Sequence, residues 1–139
     1  MFLAITAFVD ASNVYGSDED KSTQLRAHDG TGKLLTGENN LLPTDAFDDN
    51  KVFAGDERAN EMPGLASMHA LFVREHNRLC DLLKEDDKNK DDDYYFQNAR
   101  RILIAEMQNI VYGEYLPVVL GENAMKIGKL GICFDYFLF

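Results

Sequence analysis

Apolar residues recur at helical spacing in two stretches of this chain. From Pro63 to Leu83 they fall at Leu65, Met68, Leu71, Phe72, Leu79, Leu82 and Leu83, which predicts an amphipathic helix. Pro63 suits the first turn, where its missing N–H costs nothing. Asn60 or Glu61 is placed to serve the cap, and the helix is expected to end near Lys84 to Asp86. A second helix is predicted from about Tyr94 to Tyr115, burying Phe96, Ala99, Ile102 or Leu103, Met107, Ile110 and Val111. Pro117 should end or kink it, because it has no N–H to donate. Between the helices lies Asp86 to Asp93, a charge run that reads as a solvated loop. Tested as an EF-hand, the run supplies Asp87, Asn89 and Asp91 but has Asp92 for the required glycine and Asn98 for the final glutamate, so it is rejected.

The first third is patterned differently. Turn formers crowd it: Gly16-Ser17, Asp29-Gly30, Gly32, Gly37, Asn39-Asn40 and Pro43. One short helix is predicted within Ser17 to Ala27, capped by Ser17 or Asp18, and the rest reads as loop with short strands. The fold class is therefore mainly α: a loop-rich N-terminal third followed by two long helices. Two such helices and a loop cannot cover both apolar faces, so further structure is expected against them.

Composition narrows the function classes. The 139 residues are 45% hydrophobic and 27% charged, which fits a domain with a real core. A net charge of -10 argues against nucleic acid and anionic membrane as partners. Met1 to Val9 is too short to span a bilayer, and it runs into Asp10 with no basic residue before it, unlike a cleavable signal. Cys80 and Cys133 are too few for a disulfide framework and lack zinc-ligand spacing.

Three collinear stretches carry a family resemblance: TAFVDASNVYGS (Thr6 to Ser17), AGDERANEMPGLASMHALFVREHNRL (Ala54 to Leu79) and ARRILIAEMQNIVYGEYLPVVLG (Ala99 to Gly121). Together they resemble the animal haem peroxidases, in the branch of myeloperoxidase, peroxidasin and the peroxinectins. Cyclooxygenases share the REHNR-type helix, but the first two stretches look like the peroxidase branch. The resemblance implies a fragment of that helical fold, with residues 1–125 a partial peroxidase domain and 126–139 a divergent apolar tail. It further implies a haem-dependent oxidoreductase that takes hydrogen peroxide and a small reducing substrate, with haem b and Ca2+ as cofactors and an extracellular or secretory setting.

Site residues follow from the same resemblance. The arginine of the AGDxR motif is Arg58. A guanidinium that stays protonated and donates several hydrogen bonds suits the charge that develops as peroxide is split. The alternative is a surface arginine paired with Asp56 or Glu57. Glu61, three residues on, matches the glutamate that forms an ester to a haem methyl; alternatively it is a carboxylate meeting a helix N-terminus. Met62 matches a methionine that bonds a haem vinyl in one branch of the family, or is an ordinary first-turn methionine. Thr6, Phe8, Asp10 and Ser12 match the family's calcium loop, and their alternation turns them to one side of an extended segment.

The resemblance places the family's distal histidine before the calcium loop and its iron-binding histidine beyond YLPVVLG. Neither position holds a histidine here. His69 and His76 are read as core residues, hydrogen-bonded within the fold. Arg74, Glu75, Asn77 and Arg78 are read as a polar network positioning their helix. The chain is thus expected to be an incomplete domain, inactive by itself and missing parts of its own fold. The competing reading is a non-catalytic calcium-binding or interaction fragment.

Overall fold

The computed structural model describes residues 5–121. The proposed tail at 126–139, with Cys133, lies outside them.

Two long helices form the frame. Helix α3 runs Pro63–Asp86 and α4 runs Asp92–Asn109, and they pack along each other. The shorter elements precede them: α1 (Ser12–Tyr15), α2 (Glu19–Gln24) and two 3-10 turns, Glu38–Asn40 and Glu57–Glu61. Asp18 caps α2, its carboxylate accepting from the Lys21 N–H at 2.8 Å. Among the described residues no strand forms. Isolated antiparallel bridges pair Arg26 with Leu34 and Thr44 with Val52 instead.

Helix α3 starts at Pro63, as expected, but its cap differs. Met62 occupies the cap position and offers no side-chain hydrogen bond. Asn60 is drawn elsewhere: its Oδ1 accepts from Val52 N–H at 2.8 Å and its Nδ2 donates to Val52 O at 3.0 Å. The buried stripe also differs from the hydropathy pattern. It is made of His69, Ala70, Val73, His76, Leu79 and Cys80, while Met68, Leu71 and Leu82 stay largely exposed. Small and hydrogen-bonded side chains let the neighbouring helix and loops approach closely, so they take the inner positions.

Helix α4 begins earlier than its apolar pattern suggests. Asp91 caps it, accepting from Tyr94 N–H at 2.8 Å, and Asp92 and Asp93 fill its first turn. The latter two also hold Arg26, at 2.7 and 2.9 Å. Part of the charge run is therefore structural, and the free loop is shorter than predicted. The helix buries Tyr95, Phe96, Ala99 and Leu103, whereas Ile102 and Ile110 face outward. Pro117 does not end the helical path. A π-helical segment, Ile110–Tyr115, leads into α5, Leu116–Leu120, which stops at Gly121 with φ 82°. Widening the turn upstream accommodates a proline that cannot bond the carbonyl four residues back. Among the described residues no helix is long and apolar enough to cross a membrane.

The first third is pinned to this frame through backbone groups. Asn77 clamps Leu34, accepting its N–H at 2.8 Å and donating to its carbonyl at 3.1 Å. Arg74 donates to the carbonyls of Asn40 and Asn39 at 2.7 and 3.0 Å. Arg78 pairs with Glu75 on its own helix. The expected network thus splits: Arg74 and Asn77 bind loops, and the other two bind each other.

Candidate active-site cleft

Two segments far apart in sequence meet at one cleft of about 430 Å³. The first is the loop entering α1, and the second is the 3-10 turn before α3. Gly55 allows their contact: a Cβ there would sit 2.7 Å from the carbonyl oxygens of Asn13 and Val14. Gln108 of α4 also ties the loop down, donating to Val9 O at 2.9 Å.

Within the 3-10 turn, residues three apart lie on one face. Arg58 and Glu61 both line the cleft, together with Asp56, His69 and Met107. Asp56 is 3% exposed and its carboxylate organises the turn. It accepts from Arg58 N–H at 3.0 Å, from Nε at 3.1 Å to each oxygen, and from Arg58 Nη2 at 2.7 Å. These hydrogen bonds from Arg58 outweigh burial and hold the Asp56 carboxyl below its ordinary value. The guanidinium is raised in turn, first by Asp56 and more weakly by Glu61. It stays 51% exposed, so its far edge is open to the cleft.

Met62 is not brought into the same lining. It is 59% exposed at the joint between the 3-10 turn and α3. His69 was expected to be hydrogen-bonded in the core, which is half correct. Its Nδ1 donates to Leu65 O at 2.9 Å, but its buried Nε2, at the cleft wall, has no partner. No sequence signal announces this: extended Met62 breaks the helical register between Arg58 and His69, so their spacing does not place them on one face.

Three of the four calcium-loop residues converge. Thr6 Oγ1 donates to Asp10 Oδ2 at 2.7 Å and lies 3.2 Å from Ser12 Oγ, and Ser12 N–H donates to Asp10 Oδ1 at 3.0 Å. Burial pushes the Asp10 carboxyl up, yet the Thr6 and Ser12 hydrogen bonds overcome it and leave it lowered. Phe8 joins through its N–H, 3.3 Å from Thr6 Oγ1, with its ring turned outward. Among the described residues no three His, Cys, Asp or Glu side chains gather as a metal cluster. The loop's set is all oxygen with one carboxylate, which suits a hard cation in kind and is short in charge.

The sequence matches the description animal haem peroxidase over residues 2–136. The chain belongs to the animal haem peroxidase family. Chorion peroxidase of Drosophila melanogaster is 40% identical over 138 residues, covering 91% of this chain and 17% of that protein. Human myeloperoxidase is 41% identical over 142 residues, covering 88% of this chain and 19% of that protein. The chain therefore spans less than a fifth of either relative. Among solved structures, peroxidase A of Dictyostelium discoideum superposes with a TM-score of 0.71 at 31% identity, over 80% of this chain and 24% of that one. Fatty acid alpha-dioxygenase of Oryza sativa gives 0.74 at 29% identity, over 89% of this chain and 20% of its own. These neighbours agree with the mainly helical fold class.

For a member of this family, the residues present suit one edge of a haem. The cleft wall carries apolar Val9, Leu65 and Met107 beside the open guanidinium and the Glu61 carboxylate. Iron ligation is a separate matter. Both His76 nitrogens are engaged, at 2.8 and 3.0 Å, and His28 Nε2 lies 2.8 Å from Thr23 O.

Proposed function

We propose that this chain is the arginine-bearing part of a haem-dependent peroxidase, an oxidoreductase that reduces hydrogen peroxide while oxidising halide, phenolic or similar donors. The observation carrying this reading is the pairing of Arg58 and Glu61 on one 3-10 face at the cleft, with Asp56 fixing the guanidinium from behind. Haem, when bound, supplies the redox-active iron at which the O–O bond is cleaved. Arg58 directs its free N–H groups at the peroxide oxygens and stabilises the charge that develops there. Glu61, on the cleft, would hold the ring edge through an ester to a methyl group, and Met62, outside the cleft lining, would have to turn inward to bond a vinyl group through sulfur.

Calcium belongs to the same proposal, held by Thr6, Phe8, Asp10 and Ser12 with further oxygens from elsewhere in the protein. His28, His69 and His76 do not stand where the family resemblance places its proton-shuttling and iron-binding histidines, and on that reading the 139 residues alone form an incomplete, inactive site. The extracellular or secretory setting follows the family.

A graft tests the catalytic reading. Residues 5–121 replace the matching segment of human myeloperoxidase, and guaiacol oxidation is followed with the Soret band. The graft should turn over peroxide, and Arg58→Gln should lower kcat/KM for peroxide by about a hundredfold or more with the Soret band retained. Equal activity in the two proteins removes the catalytic role. Haem titration of the unextended chain tests incompleteness, and a histidine-ligated Soret band with peroxide turnover would refute it.

A further inference from the structure

Away from the cleft, three buried groups from separate elements meet. Tyr15 of α1 places its hydroxyl 2.8 Å from Nδ1 of His76 on α3. The opposite nitrogen, Nε2, lies 3.0 Å from Gly32 O. A carbonyl oxygen only accepts, so Nε2 carries the imidazole proton and Nδ1 presents a bare lone pair to the phenol. The rings are locked by edge contacts with Phe96, at centroid distances of 5.7 Å from Tyr15 and 5.3 Å from His76. Both Tyr15 and His76 are 0% exposed.

We propose that Tyr15 is a redox-active tyrosine, with His76 as the fixed acceptor of its phenolic proton. In the step, an outer-sphere oxidant of the ruthenium(III) polypyridyl class takes one electron from Tyr15 and is itself reduced to ruthenium(II). The phenolic proton moves along the existing hydrogen bond to His76 Nδ1, leaving a neutral tyrosyl radical beside an imidazolium. Re-reduction by one electron returns the proton to oxygen. Only the proton's position along a bond already made has to change, so the buried pair needs no water and little reorganisation. An oxidised phenol is a far stronger acid than any imidazolium, so transfer stays downhill even though burial, aided by Arg26 and Arg100, holds His76 at about 4.

Those two cations shape the outcome. The Arg100 guanidinium lies 5.1 Å from the Tyr15 ring centroid and that of Arg26 lies 4.1 Å from the Phe96 centroid. Oxidation leaves one positive charge in their field, so the radical is a strong oxidant in its own right. Asp92 and Asp93 partly offset this through Arg26. Tyr95, by contrast, donates to Asp87 O, a carbonyl that cannot take the proton. Tyr94 and Tyr115 are solvent-exposed. The inference is independent of haem binding.

The test uses the full chain with a photogenerated ruthenium(III) polypyridyl oxidant, followed by transient absorption and freeze-quench electron paramagnetic resonance. A tyrosyl signal that outlives those of exposed tyrosines is expected, with the hyperfine signature of an imidazolium hydrogen bond. Its formation should slow in D2O. Tyr15→Phe should remove the long-lived component. His76→Gln, whose amide accepts the hydrogen bond but not the proton, should slow its formation by about a hundredfold, the lower range for a positioned base. The D2O effect and the hyperfine signature are read on the unmutated chain, so they stand if a variant fails to fold. A long-lived signal unchanged in Tyr15→Phe overturns the proposal, as does a wild-type signal lacking both the isotope effect and the imidazolium coupling.

Discussion

Replacing Gly32 with alanine isolates the contact on which the N-terminal loop is seated. Gly32 has φ 72°, and a Cβ there would lie 2.5 Å from Phe96 N and 2.7 Å from Tyr95 Cβ. Nearby Gly30 has φ 82° but nothing within 4 Å of a new Cβ. Gly30→Ala therefore measures the left-handed conformation alone, about 1–2 kcal/mol against alanine, partly offset by the stiffer unfolded chain. Gly32→Ala adds a clash with the backbone of α4 that only lifting the loop can relieve. Lifting it breaks the Gly32 N–H bond to Asp92 Oδ1 at 2.8 Å and the His76 Nε2 bond to Gly32 O at 3.0 Å. Two net hydrogen bonds are worth about 2 kcal/mol, and stranding buried His76 adds roughly 1–3 kcal/mol. Gly32→Ala should thus be about 3–5 kcal/mol less stable than Gly30→Ala. That is a large part of the 5–15 kcal/mol typical of a folded domain. The chain has no tryptophan, so urea unfolding is followed by far-ultraviolet circular dichroism and tyrosine fluorescence. If the two variants unfold within about 1 kcal/mol of each other, the loop does not dock on α4 as described.

Three further outcomes are expected. Leu103→Ala, at a fully buried α4 position, should cost about 2–5 kcal/mol in the same urea assay, while exposed Ile102→Ala should change it by less than about 1 kcal/mol. His76, lowered from 6.5 to about 4 by burial, is neutral when folded and protonates more readily unfolded, so its contribution is present above 6.5 and lost as pH falls towards 4. The loss approaches about 3 kcal/mol, and His76→Gln should flatten the stability profile between pH 6.5 and 4 relative to wild type. Terbium luminescence sensitised by nearby tyrosine should report cation binding at the Thr6–Ser12 loop of the grafted protein, and Asp10→Asn should abolish it; undiminished luminescence in that variant places the cation elsewhere.

Much of this fold was legible because it is written locally. Pro63 marked the start of α3, Asp18 capped α2, and the 3.6-residue rhythm located both long helices. The errors arose where distant contacts decide. Met68, Leu71 and Leu82 look like a core stripe, but His69, Val73, His76 and Cys80 take that place because loops from the first third bond to them or pack against them. Asn60 reads as a cap until Val52, eight residues earlier, claims both of its amide atoms. The π-helical segment has no sequence marker beyond Pro117 downstream. In the cleft, the spacing of Arg58 and Glu61 could be read directly, but the empty lone pair of His69 could not. Tyr15 and His76 are 61 residues apart, and nothing in either neighbourhood announces the other.

The sequence posed Arg58 as either a functional arginine or one paired with Asp56, and the structure dissolves that choice. Asp56 is buried, and a buried carboxylate costs several kcal/mol unless it is paired and hydrogen-bonded. Arg58 supplies that pairing through its backbone N–H, Nε and one terminal nitrogen, which uses one edge of the guanidinium and leaves the other free. Folding therefore demands the same cation that the cleft presents. It follows that Arg58→Lys is not conservative here: an ammonium is a single point of contact, and engaging Asp56 would leave no fixed second edge. Arg58→Lys should keep most of the stability lost in Arg58→Gln, yet the grafted protein should still turn over peroxide poorly. If lysine restores turnover along with stability, positive charge alone suffices, and the forked geometry held by Asp56 has no part in the chemistry.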